Sequence, residues 1–425
     1  MARTRLGRSF GWLWAAYAVS AYGSGLGFGA FAIIAISVLH ASPAEVSALP
    51  AASLIAGALV AIPTGPWIET HRKRPVMIAM DLVRFAAMAT IPIAFWLGWL
   101  TYTQLLLVAA IIAAAKIAFA TASGAYLKSI VGTGDLLVAN GRFESTTWSS
   151  IAVGPPLGGA AIGLFGYVTT VIADGLSYLL SALGITAIGG REPAVAQTAT
   201  NKVRMRDLPD SWRYIFTHPQ LRRLFLNRLA VGSLIMAPEP LIAVLMLRQL
   251  HFTPWQYGLA FAVPCVGGLI GSRLARPAVA RYGEHKVMWI AGTSAALWPI
   301  WLAFTPAGPG GLLLVMGVEF GVIVSMSLFN PVVATFRLKH IAHERLARTL
   351  SAWSITTSLT TAGMTILWGL LATVTTPRIA IGIAGVLLLF TPPLLLPRRE
   401  HMQGKEPQRS QHPNPPARQR DLVCP

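Results

Sequence analysis

Four ionisable residues stand inside long apolar runs of this chain: Lys116, Asp174, Glu239 and Glu319. A charge is costly in apolar surroundings, so such residues mark candidate sites for protons, ions or polar substrates. Glu239 lies between two prolines in MAPEPLIAV, and that pattern predicts a broken helix with free backbone groups. Burial would favour a neutral carboxyl, which could exchange protons near neutral pH. We therefore assign substrate or proton coupling to Lys116, Glu239 and Glu319.

Each of these four residues also has a structural alternative. Lys116 could extend its stem toward polar surroundings, and Glu239 could lie near the outer water. We predict that Glu319 pairs with Lys116 across the halves, because an ion pair would hold both charges at low cost when one state is closed. Asp174 comes early in its run, so a helix-end or interhelical hydrogen bond suits it better than a transport role.

Glycine and proline are concentrated in two of the apolar runs. One contains Gly154, Pro155, Pro156, Gly158 and Gly159, and the first run contains Gly23, Gly25, Gly27 and Gly29. Proline removes a backbone hydrogen bond, and glycine lets two helices approach closely. The first run has G-x-x-x-G spacing without the strand context of a dinucleotide site, so we expect it to pack against another helix.

Apolar runs long enough to span a bilayer recur along the chain. The 425 residues are 54% hydrophobic and only 12% charged, and a hydrocarbon core of about 30 Å needs roughly 20 apolar residues per crossing. Backbone groups in lipid must be satisfied internally, so these runs are predicted to be helices. We place the spans at residues 11–39, 46–68, 75–99, 102–126, 143–165, 167–189, 224–247, 255–275, 286–305, 311–335, 350–373 and 379–396.

The basic residues are distributed unevenly about these spans. All but four of the 34 Lys and Arg residues fall on one side, the exceptions being Arg84, Lys116, Arg248 and Arg378. The positive-inside rule then places both termini in the cytoplasm. A polar stretch divides the spans into two sets of six. We predict a cytoplasmic N-terminus (1–10), an N-terminal half (11–189), a linker (190–223), a C-terminal half (224–397) and a disordered tail (398–425).

Several functional classes are excluded by composition and motifs. The net charge of +18 is spread over alternate connections, as topology requires, so we do not expect nucleic acid binding. No Walker A sequence is present, and the two cysteines have no metal-ligand spacing. Without a nucleophile–base arrangement we expect neither an enzyme, nor a cofactor, nor a metal.

The connection GPWIETHRKRPVMIAMDLVR carries a family resemblance. It resembles the loop between the second and third helices of the major facilitator superfamily, in which glycine, an acid and paired basic residues recur. Gly65, Glu69, Lys73 and Arg74 fit, whereas Thr70 stands where arginine is usual. The resemblance implies a gating loop, and we expect Glu69, Asp81 and Arg84 to latch one conformation and release in another.

Further residues are similar to one bacterial branch of that superfamily, the enterobactin-exporter-like and macrolide-efflux-like permeases. The residues that match its pattern are Asn140, the Gly154–Gly159 element, Asp174, Asn330, Arg337 and Arg348. In the superfamily a comparable Gly-Pro element is associated with antiporters and exporters. The resemblance therefore implies two six-helix halves, export, and function as a monomer.

We predict an all-α membrane protein of about twelve transmembrane helices in two six-helix halves. The expected function is proton-coupled export of a hydrophobic or amphipathic molecule, such as a drug, an antibiotic or a siderophore-like metabolite, across the bacterial inner membrane. One alternative is proton-coupled uptake of a nutrient or peptide, which the Gly-Pro element disfavours. The other is a receptor or accessory subunit that transports nothing, which the charges within the spans disfavour.

Overall fold

The computed structural model describes residues 6–132, 135–189, 208–341 and 346–395, and these ranges contain α-helices and no strand. The helices are α1 (Arg8–Leu26), α2 (Ala30–Ser37), α3 (Pro43–Glu69), α4 (Lys73–Trp96), α5 (Tyr102–Ile130), α6 (Leu136–Phe165), α7 (Thr169–Thr186), α8 (Leu208–Thr217), α9 (Pro219–Met236), α10 (Glu239–Val244), α11 (Pro254–Ala262), α12 (Cys265–Tyr282), α13 (Glu284–Leu297), α14 (Pro309–His340), α15 (Leu346–Val374) and α16 (Pro377–Leu389).

Together these helices form 12 segments that are long and apolar enough to cross a membrane. The segments agree with the predicted spans, so the fold class is confirmed. Twelve crossings bring both ends of the described chain to one face, which we call the linker face. The opposite face, which contains residues 97–101 and 250–253, is called the loop face.

Two spans are interrupted. The first is divided between α1 and α2, where Gly29 has a φ of 72° that a side chain would strain. The seventh is divided between α9 and α10 at Ala237 and Pro238, and it ends in a π-helical turn, Leu245–Gln249. The break predicted from the prolines around Glu239 is thus confirmed, whereas the break in the first span was not expected.

Helices extend further at the linker face than the apolar pattern predicted. α12 continues to Tyr282, so Arg273, Arg276 and Arg281 lie on a helix and not in a loop. The predicted linker contains α8, and α9 begins at Pro219, before the predicted residue 224. Apolar periodicity ends where the side chains become polar, but the backbone remains helical beyond that point. Residues 190–207 and the predicted tail lie outside the described ranges.

The two halves of the molecule meet near the loop face. α3 packs against α15, and α6 packs against α11. Ser42 and Thr253 begin α3 and α11 there with capping boxes, in which the cap hydroxyl accepts from a backbone N–H while a Glu or Gln accepts from the cap N–H. The largest buried cluster contains residues of both halves, among them Ile34, Leu241 and Trp368. Apolar packing therefore holds the halves together at this face.

Candidate functional site

One face of α5 is covered at the loop face and open toward the linker face. Leu105 and Ala109 are buried, whereas Lys116 and Ala120 on the same side of the helix are exposed. Within the described chain Lys116 makes neither a hydrogen bond nor an ion pair. The pair with Glu319, predicted for a closed state, is not formed in this conformation, in which the face of α5 that carries Lys116 is uncovered; the pair stays a prediction. The uncovered face indicates a space between the halves that opens at the linker face.

The broken seventh span brings two acids together. Glu239 is the first residue of α10, Glu319 lies within α14, and the two carboxyls are close enough to interact electrostatically. Both are also in electrostatic range of Tyr257 on α11. Neither carboxyl pairs with a cation or accepts a hydrogen bond from the described residues. Two half-buried acids without a counter-ion can bind a proton or a cation.

Three aromatic rings lie next to this acid pair and connect the halves. Phe28, at the break of the first span, stacks on Tyr257 with ring centroids 6.3 Å apart, and its ring lies 5.7 Å from that of Phe261. The rings of Tyr257 and Phe261 are 5.1 Å apart. A β-carbon added to Gly29 would come within 2.7 Å of the Tyr257 ring. The first-span break thus packs directly against α11.

The Gly-Pro element makes close backbone contacts on two sides of α6. A β-carbon on Gly154 or Gly158 would overlap the backbone of Gly25 or Leu26 in α1. On its other side, a β-carbon on Gly159 would overlap the Pro254 carbonyl oxygen. The close helix packing predicted for the glycines of the first run is confirmed, and the Gly154–Gly159 element packs closely as well. The element joins the first span to the opposite half.

A groove of about 620 Å³ lies between α1 and α6. It is lined by Trp14, Ala18, Tyr22, Val138, Gly141, Arg142, Ser145, Thr146 and Ser149. Trp14 Nε1 donates to Thr146 Oγ1 at 3.0 Å, and the Tyr22 hydroxyl lies 2.8 Å from Ser149 Oγ. None of these residues was predicted as a site residue. The aromatic side chains of Trp14 and Tyr22 on α1 are a sequence signal that could have indicated the groove.

Asp81 and Arg84 form a buried ion pair within α4. They lie about 12 Å or more along the helix from Lys73, given a rise of 1.5 Å per residue. Their neighbours are Asp174 and Tyr178 of α7 and not the 65–74 connection. Sequence reasoning assigned Asp81 and Arg84 to a latch with that connection and did not connect them with α7. The interhelical hydrogen bond expected for Asp174 is confirmed, because Ser24 Oγ donates to it at 3.1 Å.

The 65–74 connection itself is short. α3 ends at Glu69 and α4 begins at Lys73, whose Nζ donates to the His71 carbonyl at 2.9 Å. Arg74 donates to the Ile188 carbonyl, beyond the end of α7. Gly65 and Glu69 belong to α3, but the surroundings of both residues lie outside the described part of the chain. The latch therefore stays a prediction.

The other family-matched residues lie near the linker face. Asn140 is exposed and donates to the Leu136 carbonyl at 3.0 Å, and Asn330 is exposed on α14. The Arg337 guanidinium lies 4.9 Å from the centre of the Trp353 ring. The side chain of Arg348 falls outside the described residues. These contacts are typical of helix packing, and those described do not bring the family-matched residues together into one site.

The family model of the Major Facilitator Superfamily matches residues 13–336 and 239–424. The chain belongs to the major facilitator superfamily. The resemblance found in the 65–74 connection is thereby confirmed. A curated relative is the multidrug efflux pump Tap of Mycobacterium tuberculosis, which is 25% identical over 334 residues, or 76% of this chain and 78% of Tap.

Solved structures of this superfamily's fold agree with the architecture. A point mutant of the nucleoside transporter NupG has a TM-score of 0.74 at 12% identity, and the match covers 91% of this chain and 99% of that one. A bacterial homologue of the iron transporter ferroportin, in an inward-facing state, has a TM-score of 0.73 at 18% identity, covering 92% and 98%. This major facilitator protein is therefore a multi-pass membrane transporter, and a transporter fold implies a small-molecule substrate.

Proposed function

We propose that this protein exports a hydrophobic or amphipathic small molecule from the cell by proton antiport. The observation that supports the proposal most strongly is the Glu239–Glu319 pair at the break of the seventh span, beside the aromatic contact between the halves. A carboxyl pair without a counter-ion can take up either a proton or a polar substrate group. If the two compete for one site, proton entry drives substrate exit.

The proposed direction of transport rests on two further features. The Gly154–Gly159 element packs as an interface between helices, as an exporter of this superfamily would require, and the chain is similar to an efflux pump. The distribution of Lys and Arg favours a cytoplasmic linker face in the bacterial inner membrane. On that assignment the space beside Lys116 opens to the cytoplasm, where an exporter loads. We propose that the monomer is the working unit.

Accumulation in cells tests the export proposal. A deletion strain and a strain that expresses the protein are loaded with ethidium and with a panel of antibiotics, with and without a protonophore. We expect lower intracellular levels of at least one compound in the expressing strain, and equal levels once the proton gradient is dissipated. Higher accumulation in the expressing strain would instead indicate uptake. No change across the panel, together with no counterflow, would contradict transport.

The Glu239→Gln variant tests the role of the acid pair. Because glutamine cannot release a proton, we expect loss of proton-driven export while substrate counterflow continues. Glu144→Gln is the matched control, since Glu144 is exposed on α6, outside the acid pair. If the pH dependence of export were unchanged in Glu239→Gln, Glu239 would have no part in proton coupling.

A further inference from the structure

A buried charge cluster lies in the N-terminal half, remote in sequence from the acid pair. Asp81 is 0% exposed, Arg84 is 3% exposed and Asp174 is 5% exposed. The Arg84 guanidinium bonds to Asp81 Oδ1 and lies 4.3 Å from the centre of the Tyr178 ring. It also covers the Phe119 ring of α5 at 4.7 Å. The cluster thus occupies the junction of α4, α5 and α7.

The two carboxyls of the cluster are held differently. Asp81 has a direct bond to the guanidinium, whereas Asp174 is held by hydroxyl groups: Ser24 Oγ donates to Oδ1 and the Tyr178 hydroxyl donates to Oδ2, each at 3.1 Å. Asp174 is in electrostatic range of Arg84 but does not bond to it. The cluster therefore contains two acids and one cation. A buried site of net negative charge is costly, and binding one proton makes it neutral.

Two atoms of the Arg84–Asp81 ion pair leave a hydrogen-bonding position unused. Arg84 Nε and Asp81 Oδ2 are buried and have no hydrogen-bond partner within the described chain. The groups that face the cluster from the remaining elements are neutral, namely Ser24 of α1 and Phe119 of α5. Among these contacts, Arg84 is the cation that faces both carboxyls.

Asp174 also touches the break in the first span. A β-carbon on Gly27 would lie 3.2 Å from Asp174 Oδ2, and Gly27 directly precedes Phe28. The Phe28 ring stacks on Tyr257, which is in electrostatic range of Glu239 and Glu319. Asp174 thus lies beside the residues that join the two halves.

We propose that Asp81, Arg84 and Asp174 form a second proton-binding site and that Asp174 is the carboxyl that takes the proton. Protonation adds a hydrogen to a carboxylate oxygen and removes the charge that attracts Arg84, which stays with Asp81. Loss of that proton draws the guanidinium toward Asp174 and displaces the first-span break. The proposal rests on the proton coupling proposed above, to which it adds a site in the other half.

Infrared difference spectroscopy tests this site without any substrate. The full-length protein in lipid nanodiscs is titrated between acidic and alkaline pH, and the carbonyl band of protonated carboxyl groups is recorded. We expect Asp174→Asn to lose one component of that band, whereas Asp135→Asn, the same change at the start of α6, keeps it. Glu239→Gln should remove a different component. An Asp174→Asn band identical to that of the wild type overturns the proposal, as does a wild-type band that does not change with pH.

A second variant covers the case in which Asp174→Asn does not fold. Asp174→Glu keeps a carboxyl group but displaces it, so the midpoint of its component must shift. An unshifted midpoint overturns the proposal. The band is measured without transport. If the protein exports nothing but its spectrum contains an Asp174 component, the proposed proton-binding site stands and the proposed export function is wrong. Export by a protein without that component would remove the site alone.

Discussion

The charged side chains within the spans differ in what surrounds them. Arg84 is enclosed by two acids and two rings, and Lys116 is exposed without a hydrogen-bond or ion-pair partner among the described residues. A cation inside a closed cluster contributes to folding, because its removal leaves buried acids uncompensated. A cation that faces open space can be removed without that penalty. We therefore expect Lys116 to interact with the substrate that enters the space.

The substitutions Arg84→Gln and Lys116→Gln should therefore change the free energy of unfolding by very different amounts. We expect Arg84→Gln to lower the free energy of unfolding by about 3–5 kcal/mol, as for a buried pair that loses one partner. Lys116→Gln should change it by about 0.5 kcal/mol or less, as at an exposed site. Thermal unfolding of the purified variants measures both. Equal destabilisation would show that Lys116 is buried in a contact of its own.

Sequence reasoning located the ionisable residues but not their partners. An acid or a lysine within an apolar run is a local property, so Lys116, Glu239 and Glu319 could be singled out directly. The meeting of Asp174 with Arg84 depends on how α4 and α7 pack, and that packing has no local signal. For the same reason Glu319 was assigned to Lys116, although its charged neighbour is Glu239.

The glycines of α6 act at the scale of helix pairs. Gly159 packs its backbone against Pro254 of the opposite half, and Gly163, one turn further on, has no atom within 4 Å of its β-carbon position. The two glycines share one helix and one sequence context. They differ only in whether another helix approaches.

We expect Gly159→Ala to destabilise the contact between α6 and α11 by about 1–3 kcal/mol, the usual effect of overpacking. Gly163→Ala should cause no loss, because its methyl group enters open space and alanine favours a helix. Unfolding temperature and export are measured for both variants. If Gly163→Ala were as damaging as Gly159→Ala, the effect would come from the helix backbone and not from the contact between the halves.

At the scale of elements, the prolines around Glu239 were a sufficient signal for the broken seventh span. The break in the first span had a weaker signal, because G-x-x-x-G spacing suits continuous packed helices as well as broken ones. Gly29 has a φ of 72°, and the ring of Tyr257 fills the space that a side chain there would need. That ring belongs to the other half, so only the assembled fold explains the break.

Among the described residues the two halves are in contact at the loop face, and the face of α5 that carries Lys116 is uncovered toward the linker face. Gly369 of α15 meets Ser47 of α3, where a β-carbon on the glycine would lie 2.6 Å from Ser47 Cβ. Arg248 donates to the Ala41 carbonyl at 3.1 Å, again near the loop face. A transporter with alternating access must separate these contacts in each cycle.

A disulfide between Ser47→Cys and Gly369→Cys should therefore stop transport. The variant is made with Cys265→Ser and Cys424→Ser, so that no other thiol can react. We expect oxidation to abolish export of a compound that the accumulation assay identifies and a reductant to restore it, while oxidation leaves the export by each single-cysteine variant unchanged. Full export by the cross-linked protein would mean that the loop face need not open.

At this scale the number of spans, and the location of both ends on one face, could be predicted from apolar length and the distribution of Lys and Arg. Which face the space between the halves opens to could not be predicted in this way. Each span has the same hydropathy whether the space between the halves opens at one face or at the other. The contacts at the loop face, and the difference between the buried Leu105 and the exposed Ala120 on α5, distinguish these states.

The contact between α6 and α11 is made largely of backbone, through glycines and the carbonyl oxygens of prolines. Such an interface depends on the absence of side chains, so it has almost no room for mutational change. The open face that carries Lys116 has no such restriction. Selection could thus alter the range of transported compounds at this face while the contact between the halves stays the same.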